Sequence, residues 1–176
     1  MAKYFPKIIG DAVYLSPMSL DDLEQYTRWM NDLEMTKYLG AAATTISLEK
    51  EREALEMLAK GEHNFAIVLK GEDRLLGNIS LMKVNHLHQT AEVGLFIGNK
   101  EDKGKGYGSE ALRLIVDFGF KYLNLKNIML KVNAENKAAI AAYKKCGFNE
   151  FGRRTRSVYV DGKWCDDIYM EVLREW

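Results

Sequence analysis

The stretch TAEVGLFIGNKEDKGKGYGSEALRLIVDFGF, Thr90–Phe120, changes its periodicity twice. Thr90 to Gly98 alternates as a strand does, with Ala91, Val93, Leu95 and Ile97 on one face and Glu92, Gly94 and Phe96 on the other. Lys103 to Gly108 then packs three glycines and two lysines together. Beyond it Leu112, Ile115, Val116, Phe120 and Leu123 recur at the spacing of an amphipathic helix. The next apolar run, NIMLKVN at Asn127–Asn133, is again a strand. Strand, loop, helix, strand is a parallel crossover, so the fold class is α/β.

The flanks complete a mixed sheet. NFAIVLK (Asn64–Lys70), a Gly71-Glu72-Asp73 turn, LLGNISLMKV (Leu75–Val84) and TAEVGLFIG read as an antiparallel meander. Before it come a short strand at Ala12–Ser16 and two helices. Ser19 starts the first, with Asp22 as a capping-box partner and Leu20, Leu23, Tyr26 and Met30 as its apolar face. The second spans Ser47–Lys60, with Ser47 as N-cap, Leu48, Leu55 and Leu58 apolar, and Gly61 as its stop. After the crossover, NKAAIAAYKKCG (Asn136–Gly147) is a helix ended by glycine. RRTRSVYV and KWCDDIYMEVL form a hairpin about Asp161-Gly162, which suits a type I′ turn. With no repeat or Pro/Ser-rich linker, the chain reads as a single domain over 1–176 with helices on both sheet faces.

Composition excludes several partners. The 176 residues carry 25 Lys and Arg against 25 Asp and Glu, without the positive surplus that drives nucleic-acid binding. Cys146 and Cys165 have neither metal-site spacing nor the density of a disulfide scaffold, and read as reduced thiols. The N-terminus lacks an apolar signal core, and no run approaches the roughly 20 apolar residues of a membrane span. The expected setting is the cytoplasm, away from membranes.

The glycine loop is neither a dinucleotide fingerprint, since Ser109 stands where a third glycine would, nor a P-loop. Its glycines let backbone N–H groups converge ahead of a helix N-terminus, a nest that suits a pyrophosphate. On the glycine pattern alone, a flexible loop with solvated lysines fits equally.

Lys103-Gly104-Lys105-Gly106-Tyr107-Gly108, opening a helix, resembles motif A of the GNAT superfamily of acyl-CoA-dependent N-acetyltransferases, [QR]-x-x-G-x-[GA], with Lys103 in place of Gln or Arg. Asn136, Ala139, Tyr143, Gly147 and Phe148 match its motif B, N-x-x-A-x-x-x-Y-x-x-x-G-F. The segment Leu15–Asp32 and the terminal hairpin look like the branch that acetylates ribosomal-protein N-termini and polyamines. The resemblance implies acetyl-CoA as cosubstrate, no metal, and a central strand around Phe96 and Ile97 that splays from its neighbour and offers backbone to the pantetheine arm. It places the pyrophosphate on Lys103 to Ser109 and the thioester by Asn136 and Tyr143. Lys145 complements its helix end and can also reach a coenzyme phosphate.

Acetyl transfer to an amine requires a proton to leave an ammonium of pKa about 10.4, and an acid helps the thiolate depart. The resemblance gives Tyr143 the role of acid. Glu92, on the central strand, is the candidate base acting through a water; a solvent-facing strand glutamate fits the same residues, and backbone carbonyls with water could replace it. His86 and His88, with no third ligand nearby, read as a polar turn. Trp29, Tyr38 and Trp164 wall an acceptor pocket or belong to the core. Asp21, Asp22, Asp32 and Glu34 offer acid for a polyamine, but Met35–Ser47 is nearly neutral, which sets a peptide N-terminus or small amine level with or above spermidine. A domain that holds coenzyme A without turnover, and a nucleotide-phosphate module on the same nest, are the competing readings. The assembly is a monomer or homodimer.

Overall fold

The computed structural model describes residues 2–175. In chain order the strands are β1 (Ile8–Ile9), β2 (Val13–Pro17), β3 (Asn64–Leu69), β4 (Arg74–Asn85), β5 (Thr90–Ile97), β6 (Asn127–Asn133), β7 (Asn149–Val160) and β8 (Lys163–Leu173). The helices are α1 (Leu23–Met30), α2 (Leu33–Thr36), α3 (Leu48–Lys60), α4 (Tyr107–Tyr122) and α5 (Lys137–Lys145). The strands form one mixed sheet in the order β1-β2-β3-β4-β5-β6-β8-β7, and the β5 and β6 pair is parallel. The α/β class, the antiparallel front and the single parallel crossover are those expected from the sequence. Two compact units divide the chain, Met1–Ser80 with Leu95–Leu114 and Leu81–Gly94 with Ile115–Trp176.

In the first unit β2 and β3 pair antiparallel from Val13↔Leu69 to Pro17↔Phe65. The run FAIVL in β3 is buried throughout, as a strand covered on both faces must be. Tyr14, Ala66, Val68 and Leu75 form one apolar face, and Leu23, Tyr26 and Trp29 of α1 close on it with Met35 and Leu55. Trp29 is therefore core. Leu20 and Leu48, assigned to apolar helix faces, are exposed.

The capping box does not form. Leu20–Asp22 is a 3-10 turn, and Ser19 accepts from the amide of Asp21. Asp22 is withdrawn from the cap by tertiary partners: it is buried, accepts from the Tyr4 hydroxyl at 2.9 Å and pairs with Lys3 Nζ at 2.6 Å. Gly61 stops α3 in an extended conformation, φ −77°, rather than a left-handed one. The two-residue β1 and four-residue α2 are too short to leave a periodic signal.

In the second unit β5 and β6 pair from Thr90↔Asn127 to Glu92↔Met129. The register ends there although β6 runs to Asn133 beside β8, so Val93 and Gly94 have no partner on β6 among the described residues. This is the splay expected of the central strands. Ala91, Val93, Ile128, Leu130, Val132, Ile168 and Met170 are buried on one face. Gly119 of α4 lies on it so closely that a Cβ would come within 2.9 Å of Ile128. The hairpin turns at Asp161 (φ 48°) and Gly162 (φ 77°), both left-handed, as a type I′ turn requires. The pairing of β7 with β8 slips at Glu150/Gly152 and again between Arg154 and Val158. Among the described residues no helix is long and apolar enough to cross a membrane.

Candidate active site

The glycine loop of the first unit rests on a buried carboxylate. Asp102 closes a 3-10 turn, Lys100–Asp102, and is 1% exposed. Both its oxygens are held by Arg74, at 2.7 and 2.9 Å, and Asn99 donates to it at 3.2 Å. Asn99 in turn accepts from the indole of Trp29 at 2.9 Å. Hydrogen bonding to Arg74 holds the Asp102 carboxyl below the usual range and raises the guanidinium in return. Above this base Gly104 (φ 77°) and Gly106 (φ 89°) are left-handed, and a Cβ at either would meet open space. They are needed for their backbone angles, not for room.

The loop delivers Tyr107, Gly108 and Ser109 into the first turn of α4. Glu110 fixes this end of the helix, its Oε1 accepting from the amides of Ala12 at 3.0 Å and Val13 at 3.3 Å. The left-handed glycines, exposed Lys103 and Lys105, and the open space over Gly104 and Gly106 leave room for an anion such as a pyrophosphate at the helix start. A Cβ at Gly108 would come within 3.5 Å of the Ile97 side chain. Phe96 turns its ring into the core, edge-on to Tyr26 and Trp29 at 6.2 and 5.9 Å between centroids.

In the second unit α5 buries no residue fully. Asn136 is its N-cap, and the side-chain oxygen accepts from the amide of Ala139 at 3.2 Å. Tyr143 is half-buried with its ring 6.2 Å from that of Phe148. Burial, with a smaller contribution from Cys146, pushes the phenol up to about 12. It therefore keeps its proton at any physiological pH. Gly147 ends the helix at φ 89°, while Lys144 and Lys145 complement its last turn.

Glu92 lines a cleft of about 380 Å³ with Lys83, Thr90, Ala91, Met129, Lys131 and Tyr169. Its Oε2 pairs with Lys83 Nζ at 2.6 Å, and the hydrogen bond raises the ammonium pKa. Lys83 stands at φ 51° inside β4, a left-handed conformation that costs a lysine about 1–2 kcal/mol. Consecutive residues of a regular strand face opposite ways. Here Met82 reaches Gly94, where a Cβ would come within 2.9 Å of its Cε, and Lys83 reaches Glu92 on the same face of β5. Lys131 reaches Asp167 at 3.7 Å.

The glycine loop, Phe96 and Ile97 belong to the first unit; Glu92, Asn136, Tyr143 and Lys145 to the second. Arg74, Asp102 and Glu110 left no trace in sequence reasoning because their partners are remote along the chain. The left-handed Lys83 had no signal at all. His86 and His88 are exposed in the turn after β4, and the described residues hold no group of three or more His, Cys, Asp or Glu that could ligate a metal. Trp164 is exposed at the hairpin tip against Tyr159, at 5.3 Å between centroids. Two acids of the first unit are spent on structure: Asp22 as above, and Asp32 as the cap of α2.

The chain is similar over most of its length to known acetyltransferases. Residues 12–149 match the family described as Acetyltransferase (GNAT) domain. The "Probable N-acetyltransferase YjcK" of Bacillus subtilis is 30% identical over 93% of this chain and 95% of its own. The spermidine N(1)-acetyltransferase of Escherichia coli is 29% identical over 93% of this chain and 87% of its own. A crystal structure of spermidine N-acetyltransferase from Vibrio cholerae, in complex with CoA and spermine, superposes with a TM-score of 0.81 at 25% identity, covering 93% of this chain and 96% of that one.

Proposed function

The chain belongs to the GNAT acetyltransferase family, and from that premise we propose that it moves an acetyl group from acetyl-CoA to a primary amine by direct attack on the thioester, with Tyr143 as the acid. The observation that carries this is the Tyr143 phenol, half-buried on α5 and protonated at neutral pH, a hydrogen-bond donor for a departing thiolate. The nest of Gly104 to Ser109, with Lys103 and Lys105 beside it, takes the pyrophosphate. Asn136 holds the start of α5 and Lys145 lies at its end for a coenzyme phosphate. Backbone of β5 at Phe96 and Ile97 takes the pantetheine arm. Glu92 faces the acceptor and receives its proton through a water. The whole of 1–176 acts as one acyltransferase.

Spermidine is a second reading, favoured by the relatives that act on it. Against it stands the use of Asp22 and Asp32 for structure, which leaves fewer free carboxylates for several ammonium groups. Acetyl-CoA-dependent thiol release against spermidine, amino sugars, short peptides and small amines tests the proposal. Release with one class establishes the reaction. Saturable coenzyme binding without release from any would favour a non-catalytic coenzyme-binding domain, and no coenzyme binding would overturn the reading of the loop.

A further inference from the structure

We infer that the cleft at Glu92 selects an acceptor amine that carries its own carboxylate close to the nitrogen, and that Lys83 and Lys131 are the residues that recognise this acid. The inference rests on Glu92 facing the acceptor. An ammonium that approaches Glu92 meets Lys83 Nζ already 2.6 Å from Oε2. A simple alkylamine would share the Glu92 carboxylate with Lys83 and set two cations beside one anion. A polyamine would bring further positive charge into a lining whose charged groups are Lys83, Lys131 and Glu92. A zwitterion behaves differently: its ammonium takes Glu92 while its carboxylate takes Lys83, so one ion pair becomes two.

The position of Lys83 supports this use. The left-handed backbone at φ 51° turns its side chain onto the face that already carries Met82, where a regular strand would point it away. The exposed ammonium is thereby set at the mouth of the cleft, with 79% of the side chain open to solvent. Lys131 enters from β6, two residues beyond Met129, the register partner of Glu92. Its contact with Asp167, at 3.7 Å, is too long for a strong hydrogen bond and leaves donors for a ligand. Tyr169 stands opposite Lys131 on β8 and adds a hydroxyl to the lining. A volume of about 380 Å³ suits a small molecule or the first residues of a peptide.

Calorimetric titration of the CoA-loaded protein tests this. The probes are γ-aminobutyrate, its amide, spermidine, and two peptides of matched length with glutamate or glutamine at the first two positions. Transfer from acetyl-CoA is followed with the same acceptors. Each acid-bearing amine should bind ~10-fold more tightly than its amide. That ratio should fall towards one in Lys83→Gln and part of the way in Lys131→Gln; being internal to each variant, it is insensitive to partial loss of folded protein. Tighter binding of γ-aminobutyrate than of the acidic peptide identifies a free amino acid as the source, and the reverse order a peptide end. Equal binding of acid and amide, a preference for spermidine, or a ratio untouched by both substitutions overturns the inference. Transfer to amides or spermidine without acid preference would overturn it while upholding acetyl transfer. Acid-dependent binding with no transfer in any arm would uphold it and count against acetyl transfer.

Discussion

Two ion pairs, one spanning β5 in sequence and one with its carboxylate on β5, differ in burial and in geometry. Arg74–Asp102, in the first unit, has a carboxylate 1% exposed that receives two bonds from one guanidinium and a third from Asn99. Lys83–Glu92, in the second, joins a carboxylate 20% exposed to a lysine 79% exposed through one contact. The first fixes backbone beneath the glycine loop. The second leaves a strong acceptor and a strong donor beside open space, a pair that a ligand can divide. A third carboxylate, Glu51, is also buried but has no ion pair or side-chain hydrogen bond among the described residues, and burial raises its pKa. Partner geometry, more than the presence of opposite charge, separates structure from function here.

The comparison breaks most visibly at Asp102. Asp102→Asn should cost roughly 2–3 kcal/mol in denaturant unfolding, less than a fully buried pair because the Arg74 side chain is 40% exposed. The loss should track pH. A depressed carboxyl stabilises above its unfolded value near 3.8 and stops doing so as pH falls through the lower folded value, so wild type and variant converge in acid. Next in size, Tyr143→Phe should lower kcat at least ~10-fold with coenzyme affinity within about twofold, measured by thiol release and calorimetry. With the phenol pushed up to about 12, Tyr143 should impose no loss of kcat as pH rises to about 10.

Glu51→Gln sharpens the contrast in the opposite direction. A carboxyl raised by burial stabilises the fold below its unfolded value near 4.5, and that contribution is lost as pH rises through the folded value. At neutral pH the substitution should therefore stabilise, and the gain should vanish as pH falls below about 4. Smallest of all, Lys83→Gln should leave the melting temperature unmoved. A loss comparable to that of Asp102→Asn would show the two pairs to be alike and would end the comparison.

Legibility in the sequence followed the range of the interactions. β6 has the bounds its apolar run predicted, Asn127–Asn133, and the hairpin turns at Asp161-Gly162, because strand periodicity and turn chemistry are local. Gly147 ends α5 left-handed for the same reason. The box at Ser19 was lost because Lys3 and Tyr4 offered Asp22 stronger partners than a helix amide. At the candidate site the loop and Tyr143 are reached through their resemblance to the family's two motifs; the glycine pattern alone fits a flexible loop equally. Arg74 and Asp102, 28 residues apart, could not be reached, since nothing in either segment names the other. Lys83 was hidden more deeply, its conformation running against its residue type.

The slipped pairing of β7 bears on how the protein behaves at high concentration. This strand is 12 residues long and lies at the end of the strand order, a length of open backbone that invites another chain to add itself. The break between Arg154 and Val158 interrupts that invitation, with Arg156 left-handed at φ 47° and its amide bound to Asp166 at 2.9 Å. Arg154 and Arg156 add like charge along the rim, while Arg153 is paired with Glu150 and Asp166. A would-be fibril finds no straight, neutral template there, so the irregularity serves as protection against aggregation.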